Sequence, residues 1–372
     1  MNKLMKLWLA PLALLSGHAL AGGEAPMTEP MKIGMSFKAE VFQNDNQGLK
    51  KDGYTPTAST MMWGVVNPSL SLKINEKVNF FMETALGTPL ASKGKCLGTL
   101  VKQAYTKLNM NDMFFVKFGC LKTSKGGWES MDRDEALTLF AAPVGPMGYL
   151  NQVPLSDYLP ALMVGMNQSF GHLSLQLVDD VTLATHASWN DVKQPTAILQ
   201  WKGDFGGFMP LVQVGMYDAM KSMFTNVGLK GKAADFGFTF DYMRNSFSNK
   251  VLNAEMKGTS KEDVATTVAL SVNYDMPGVA TPFLAYSMFE KVEYKDDATS
   301  KKDVKANSGG WTGAWNDNGN VVSVGSTFSG VGDNFWPYLA VDLVGGKFYN
   351  TDMTKEESKS EMHIKAGMTA KF

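Results

Sequence analysis

Glu361-Met362-His363-Ile364-Lys365-Ala366-Gly367-Met368-Thr369-Ala370-Lys371-Phe372 is the stretch whose reading decides the fold. Met362, Ile364, Ala366, Met368, Ala370 and Phe372 alternate without a break against Glu361, His363, Lys365, Gly367, Thr369 and Lys371. Successive side chains of a strand point to opposite faces, so this stretch has one apolar side and one polar side. A strand with lipid outside and water inside needs that pattern over ~9–11 residues. An edge strand of a soluble β domain would also alternate, so the remainder of the chain has to separate the two readings.

The other end of the sequence bears on that choice. Lys3 and Lys6 precede an apolar run from Leu7 to Leu15, and Ala19-Leu20-Ala21 has the small-x-small form of a signal-peptidase site. Residues 1–21 are therefore expected to be a signal peptide, and residues 22–372 a single domain. No other segment approaches ~18 uninterrupted apolar residues, which excludes helical membrane spans. The whole chain has a net charge of −1, and without Lys3 and Lys6 this becomes −3. Arg133 and Arg244 are the only arginines and no basic run stands out, which argues against a nucleic-acid partner.

Short alternating segments run from end to end without a Pro- or Ser-rich linker. Met31 to Phe42 mirrors the closing stretch, with Met31, Ile33, Met35, Phe37, Ala39 and Val41 on one face, and the two segments should meet to seal a barrel. Leu70 to Ile74 and Val78 to Leu86 flank a tight turn at Asn75-Glu76-Lys77. Further short turns fall near Phe170-Gly171-His172, Asp204 to Gly207, Gly231 to Ala234, Asp275 to Gly278 and Ser329 to Asp333, where Gly, Pro and Asp supply the turn conformations. Longer polar connections alternate with them. The expected fold is all-β: a transmembrane antiparallel up-and-down β-barrel of about sixteen strands. Phe236, Phe238, Phe240 and Tyr242 share one face, and Trp63, Trp201, Trp336 and Tyr338 fall near strand ends, where amphipathic rings favour the headgroup level.

The terminal Phe372 resembles the closing residue of Gram-negative outer-membrane barrels, where it belongs to the signal read by the barrel assembly machinery. Gln103-Ala104-Tyr105-Thr106-Lys107-Leu108, a turn from Asn109 to Asp112, and Phe114-Phe115-Val116-Lys117-Phe118-Gly119 with Lys122 beyond resemble a hairpin of bacterial porins, the phosphate-selective porins and their relatives above all. The resemblance implies a channel in the outer membrane of a Gram-negative bacterium, assembled as a homotrimer; it further implies contact with outer-membrane lipids and lipopolysaccharide, periplasmic chaperones on the way there, and no cofactor.

One connection is out of proportion. From Thr123 to Leu159 there are 37 residues, and loops this long are usually functional or disordered. In general porins the corresponding loop folds into the barrel and narrows it, so 123–159 is the expected pore-constricting loop. Glu129, Asp132, Asp134, Glu135 and Asp157 would then be the acidic side of a constriction. Lys32, Lys38, Lys73, Lys107, Lys117 and Lys365, on the lumen face by alternation, would be its basic side. Opposed charges select ions by sign. The loop carries Lys125 and Arg133 against five carboxylates, which leans the expectation to a weak cation preference. Clustered lumen lysines would instead mark an anion- or phosphate-selective channel.

Cys96 and Cys120 are the only cysteines, and an exported chain can bridge them. The histidines show no metal-ligand spacing, and neither a Gly-x-Ser-x-Gly elbow nor a phosphate-cradling glycine loop occurs, so no enzyme is expected. His186-Ala187-Ser188-Trp189-Asn190 bears a faint resemblance to the His-x-Ser-Asn stretch of outer-membrane phospholipase A, which keeps a barrel lipid hydrolase as an alternative; a structural surface barrel is the other.

Overall fold

The computed structural model describes residues 31–44, 59–84, 86–88, 101–124, 127–128, 158–178, 196–217, 222–247, 263–291, 316–329, 334–349 and 356–371. All named elements among them are strands. The first six are β1 (Lys32–Asn44), β2 (Ser59–Lys73), β3 (Val78–Thr84), β4 (Leu86–Thr88), β5 (Val101–Asn109) and β6 (Phe114–Lys122). Then come β7 (Tyr158–Gln168), β8 (Gly171–Val178), β9 (Thr196–Gly203), β10 (Phe208–Tyr217), β11 (Ser222–Ala233) and β12 (Phe236–Phe247). The circuit ends with β13 (Asp263–Tyr274), β14 (Ala280–Lys291), β15 (Asn316–Phe328), β16 (Phe335–Tyr349) and β17 (Glu356–Lys371). Since β3 and β4 both pair with β2, they are two pieces of one stave, and the staves number sixteen.

Each stave pairs antiparallel with the next in sequence, and β17 returns to β1. The seam runs from Ser36 opposite Lys371 to Asn44 opposite His363, which joins the two mirrored segments as their pattern demands. Closure leaves no unpaired edge, the condition for a sheet to stand in lipid. Among the described residues no helix is long and apolar enough to cross a membrane.

Turn chemistry puts the short connections at one end. The Asn75 side-chain oxygen accepts from the backbone N–H of Lys77 at 2.9 Å and of Val78 at 2.8 Å. Asn111 repeats the device with Met113 at 2.9 Å and Phe114 at 2.7 Å. An Asn side chain that stands in for a backbone acceptor closes such a turn without a longer loop. The connections at 169–170, 204–207, 234–235 and 275–279 lie at the same end, and the one following β6 lies at the other.

The outward face is apolar and exposed: Leu162 and Val164 on β7, Leu173, Leu175 and Leu177 on β8, Leu270 and Val272 on β13, Met362 and Ile364 on β17. Such a face is unstable in water and suited to hydrocarbon. Phe236, Phe240 and Tyr242 lie on it as well. Tyr338 does not. It is buried inside, where an added Cβ on Gly367 would stand 2.3 Å from its ring, so strand parity rather than aromatic character decides its side.

Candidate functional site in the barrel lumen

The inner wall has two characters. On β6–β12, towards the long connections, Leu121, Leu159, Ala161, Val178, Ile198, Phe224 and Met243 belong to one buried apolar cluster. On β13–β17 many inward residues are polar and buried, among them Ser271, Ser287, Ser323, Asp342, His363 and Lys365, with Phe283, Val321 and Tyr338 buried between them. Lys365 pairs with Asp342, whose other side accepts the Ser323 hydroxyl at 2.7 Å, so charge on that wall is balanced within the wall. By contrast, Glu83, Tyr105, Lys107 and Lys117 on β3, β5 and β6 keep partial access to water.

Near the short-turn end the lumen is basic. Lys107 and Lys117 face one another across β5 and β6 as register partners, and the Phe115 ring lies beneath both, 4.8 Å and 5.5 Å from their ammonium groups. Lys117 also lies 5.2 Å from the Tyr105 ring. His172 stacks on Phe115 at 5.2 Å and 11° and shares a hydrogen bond of 2.9 Å with Asn167. Lys202 is its register partner on β9, and the Lys117 ammonium feels the like charges of both Lys107 and Lys202. Gly165 makes the arrangement possible, because a Cβ there would stand 2.1 Å from the Phe115 ring. Quadrupolar ring faces attract ammonium groups and partly offset the repulsion between them.

The start of the long connection after β6 turns inward. The Ser124 N–H donates to the Gln176 side chain on β8 at 2.7 Å, and Gln176 donates to the Lys122 carbonyl at 2.9 Å. Four staves beyond β6, the Trp128 indole N–H donates to the Met209 carbonyl of β10 at 3.1 Å. Lys202 and Lys230 lie 5.3 Å and 5.6 Å from the Trp128 ring. Glycine clears the contact on both sides: a Cβ on Gly228 would stand 3.0 Å from the indole and 2.3 Å from the Asp241 carboxylate, and one on Gly127 would overlap that carboxylate.

Of the lysines expected at the wall, Lys107 and Lys117 come together. Lys365 is neutralised by Asp342, Lys73 ends β2 at the same end of the barrel as the pair, and Lys32 is exposed at the start of β1. Lys38 sits on β1 opposite Val65, with its side chain outside the described residues. Glu129, Asp132, Asp134, Glu135 and Asp157 lie outside the described residues, as do Phe372, Cys96 and the His186–Ser188 pair. Cys120 is described and is disulfide-bonded. The sequence reading missed His172, Lys202, Lys230 and Trp128. Strand parity counted back from the turns at 169–170, 204–207 and 234–235 would have put the first three on the inner face. Among the described residues no group of three or more His, Cys, Asp or Glu could hold a metal ion.

No family model matches the chain, and no curated protein does. Solved structures do match over nearly the whole length. The outer membrane channel DcaP of Acinetobacter baumannii is 14% identical with a TM-score of 0.57, over 95% of this chain and 100% of that one. An anion-selective porin from Comamonas acidovorans is 10% identical with a TM-score of 0.57, over 92% and 99%. The trimer form of OmpT, an outer membrane protein of Vibrio cholerae, is 10% identical with a TM-score of 0.55, over 92% and 99%. The chain therefore has the fold of the Gram-negative outer-membrane porins.

Proposed function

We propose that this protein is an outer-membrane porin, a water-filled channel for passive diffusion of small hydrophilic solutes, with a preference for anions. The observation that carries the ion preference is the register pair Lys107–Lys117, which has no carboxylate within ion-pair distance among the described residues and stands beside Lys202 and His172. In a lumen whose walls exclude counter-ions, like charges raise the local concentration of the opposite ion. The fold and the apolar outer band support the outer-membrane setting. The inward root of the 123–157 connection and the apolar cluster on β6–β12 support a loop that covers that wall and narrows the passage. The trimer form of one structural neighbour supports a homotrimer, and the bonded state of Cys120 supports a Cys96–Cys120 bridge.

The weak cation preference rests on Glu129, Asp132, Asp134, Glu135 and Asp157, and the test has to set those residues against the lysines. The reversal potential of the refolded protein in a planar bilayer under a salt gradient is expected to favour anions and to move towards zero in the Lys107→Gln/Lys117→Gln double variant. A cation-favouring potential removed by neutralising Asp132, Asp134 and Glu135 would overturn the anion reading and restore the acidic constriction. Folded protein without conductance would remove the channel altogether and leave a structural barrel or a lipid hydrolase dependent on Ser188.

A further inference from the structure

We propose that the lumen face of β3, β5 and β6 binds aromatic carboxylates, with the carboxylate between Lys107 and Lys117 and the ring against Tyr105 and Phe81. The inference rests on the anion reading above and adds the class of anion.

Three observations carry it. The first is the charge pair itself: two ammonium groups on adjacent strands, in register, whose contacts among the described residues are with the rings of Phe115 and Tyr105. A two-oxygen anion between them would supply the missing charge and convert repulsion into two charge-assisted hydrogen bonds. The second is the pair of rings next to it. Phe81 and Tyr105 are register partners with ring centroids 5.3 Å apart and a tilt of 36°, and both are partly accessible on the inner wall. A ring tilted against its neighbour offers a flat face and an edge to a third ring, the arrangement aromatic groups prefer.

The third is what surrounds the pair. Glu83, the nearest carboxylate along β3, is four residues from Asn79, the register partner of Lys107, or ~13 Å along the strand. It is held there by Lys102 at 3.5 Å and the Gln103 amide at 3.0 Å, so it does not fill the gap between the lysines. Gly119, opposite Tyr105 on β6, has a φ of 136°, and an added Cβ would stand 2.3 Å from the Ala104 carbonyl oxygen. That position requires glycine, and it keeps the space beside Tyr105 free of a side chain. On β9 to β12 the inward Gln200, Gln213, Asn226 and Thr239 offer amides and hydroxyls rather than a flat apolar face.

The test is block of the chloride current through the full-length channel by benzoate and by acetate, which carry the same charge. Benzoate is expected to block saturably, at a concentration roughly three- to tenfold below that of acetate. Tyr105→Leu is expected to bring the two blocking concentrations together, whereas Tyr105→Phe, which keeps the ring, retains the difference. Lys117→Gln weakens both blockers. Equal block by benzoate and acetate in the unaltered channel would overturn the proposal and leave the anion preference standing. A reversal potential indifferent to Lys107→Gln and Lys117→Gln would instead remove the anion reading on which it rests.

Discussion

At the scale of single residues, two positions show strain and anchorage directly. Ala234 holds a φ of 53° in the exposed turn between β11 and β12, the left-handed region in which a Cβ meets the following carbonyl oxygen. Glycine removes that clash and costs entropy in the unfolded chain, so Ala234→Gly is expected to stabilise the barrel by about 0.5–1 kcal/mol, read as a higher midpoint in equilibrium unfolding from lipid vesicles. A lower midpoint would mean that the alanine makes a contact worth more than its strain. Trp128 fastens the root of the longest connection to β10 through one hydrogen bond and to β9 and β11 through two ammonium contacts. Trp128→Ala removes all three. Single-channel conductance should rise and fluctuate more if the connection narrows the passage, whereas an unchanged trace would show that the narrowing lies elsewhere.

At the scale of elements, β15, β16 and β17 are held together inside the wall by Ser323, Asp342 and Lys365, and both charged groups of that set are almost fully buried. Asp342→Asn takes the counter-charge from Lys365 and is expected to cost about 3 kcal/mol, because a buried ammonium loses its partner. Asp342→Asn combined with Lys365→Met should recover most of that loss in the same unfolding measurement; no recovery would mean that the pair is not what holds these strands. Lys365 also shows what sequence could and could not reveal. Its side of the barrel was legible from alternation alone, since His363 and Lys365 face inward while Met362 and Ile364 face lipid. The seam with β1 was legible for the same reason. Its partner was not: Asp342 lies on another strand, and ion pairing depends on register, which single-strand periodicity does not set. The same limit hid the Lys117–Lys202–His172 neighbourhood, whose members come from β6, β8 and β9, and it misplaced Tyr338, whose parity depends on where β16 begins.

At the scale of the whole molecule, lysines among the described residues gather at one end of the barrel. Lys32, Lys73, Lys107, Lys117, Lys202 and Lys230 all lie towards the short-turn ends of their strands, the end that faces the periplasm in barrels of this kind. The carboxylates of that end, Glu76, Asp112, Asp204, Asp235 and Asp275, stand in the turns, and Asp275 is paired with Lys232 at 3.3 Å. A basic mouth attracts anions over a distance set by the salt in the bath it faces, ~10 Å at 0.1 M and ~3 Å at 1 M. Selectivity should therefore depend on which way the salt gradient runs. With the dilute bath at the short-turn mouth the lysines are poorly screened and the anion preference is large; with the concentrated bath there, the same charges are masked and the preference shrinks. The measurement is a pair of reversal potentials on one inserted channel with the gradient reversed between them, its orientation fixed by a thiol-reactive tag on a turn cysteine introduced at Asn111. Unequal magnitudes, larger with the dilute side at the tagged mouth, are the expected result. Equal magnitudes in both directions would mean that the charge governing permeation sits near the middle of the barrel, where the 123–157 connection would have to supply it.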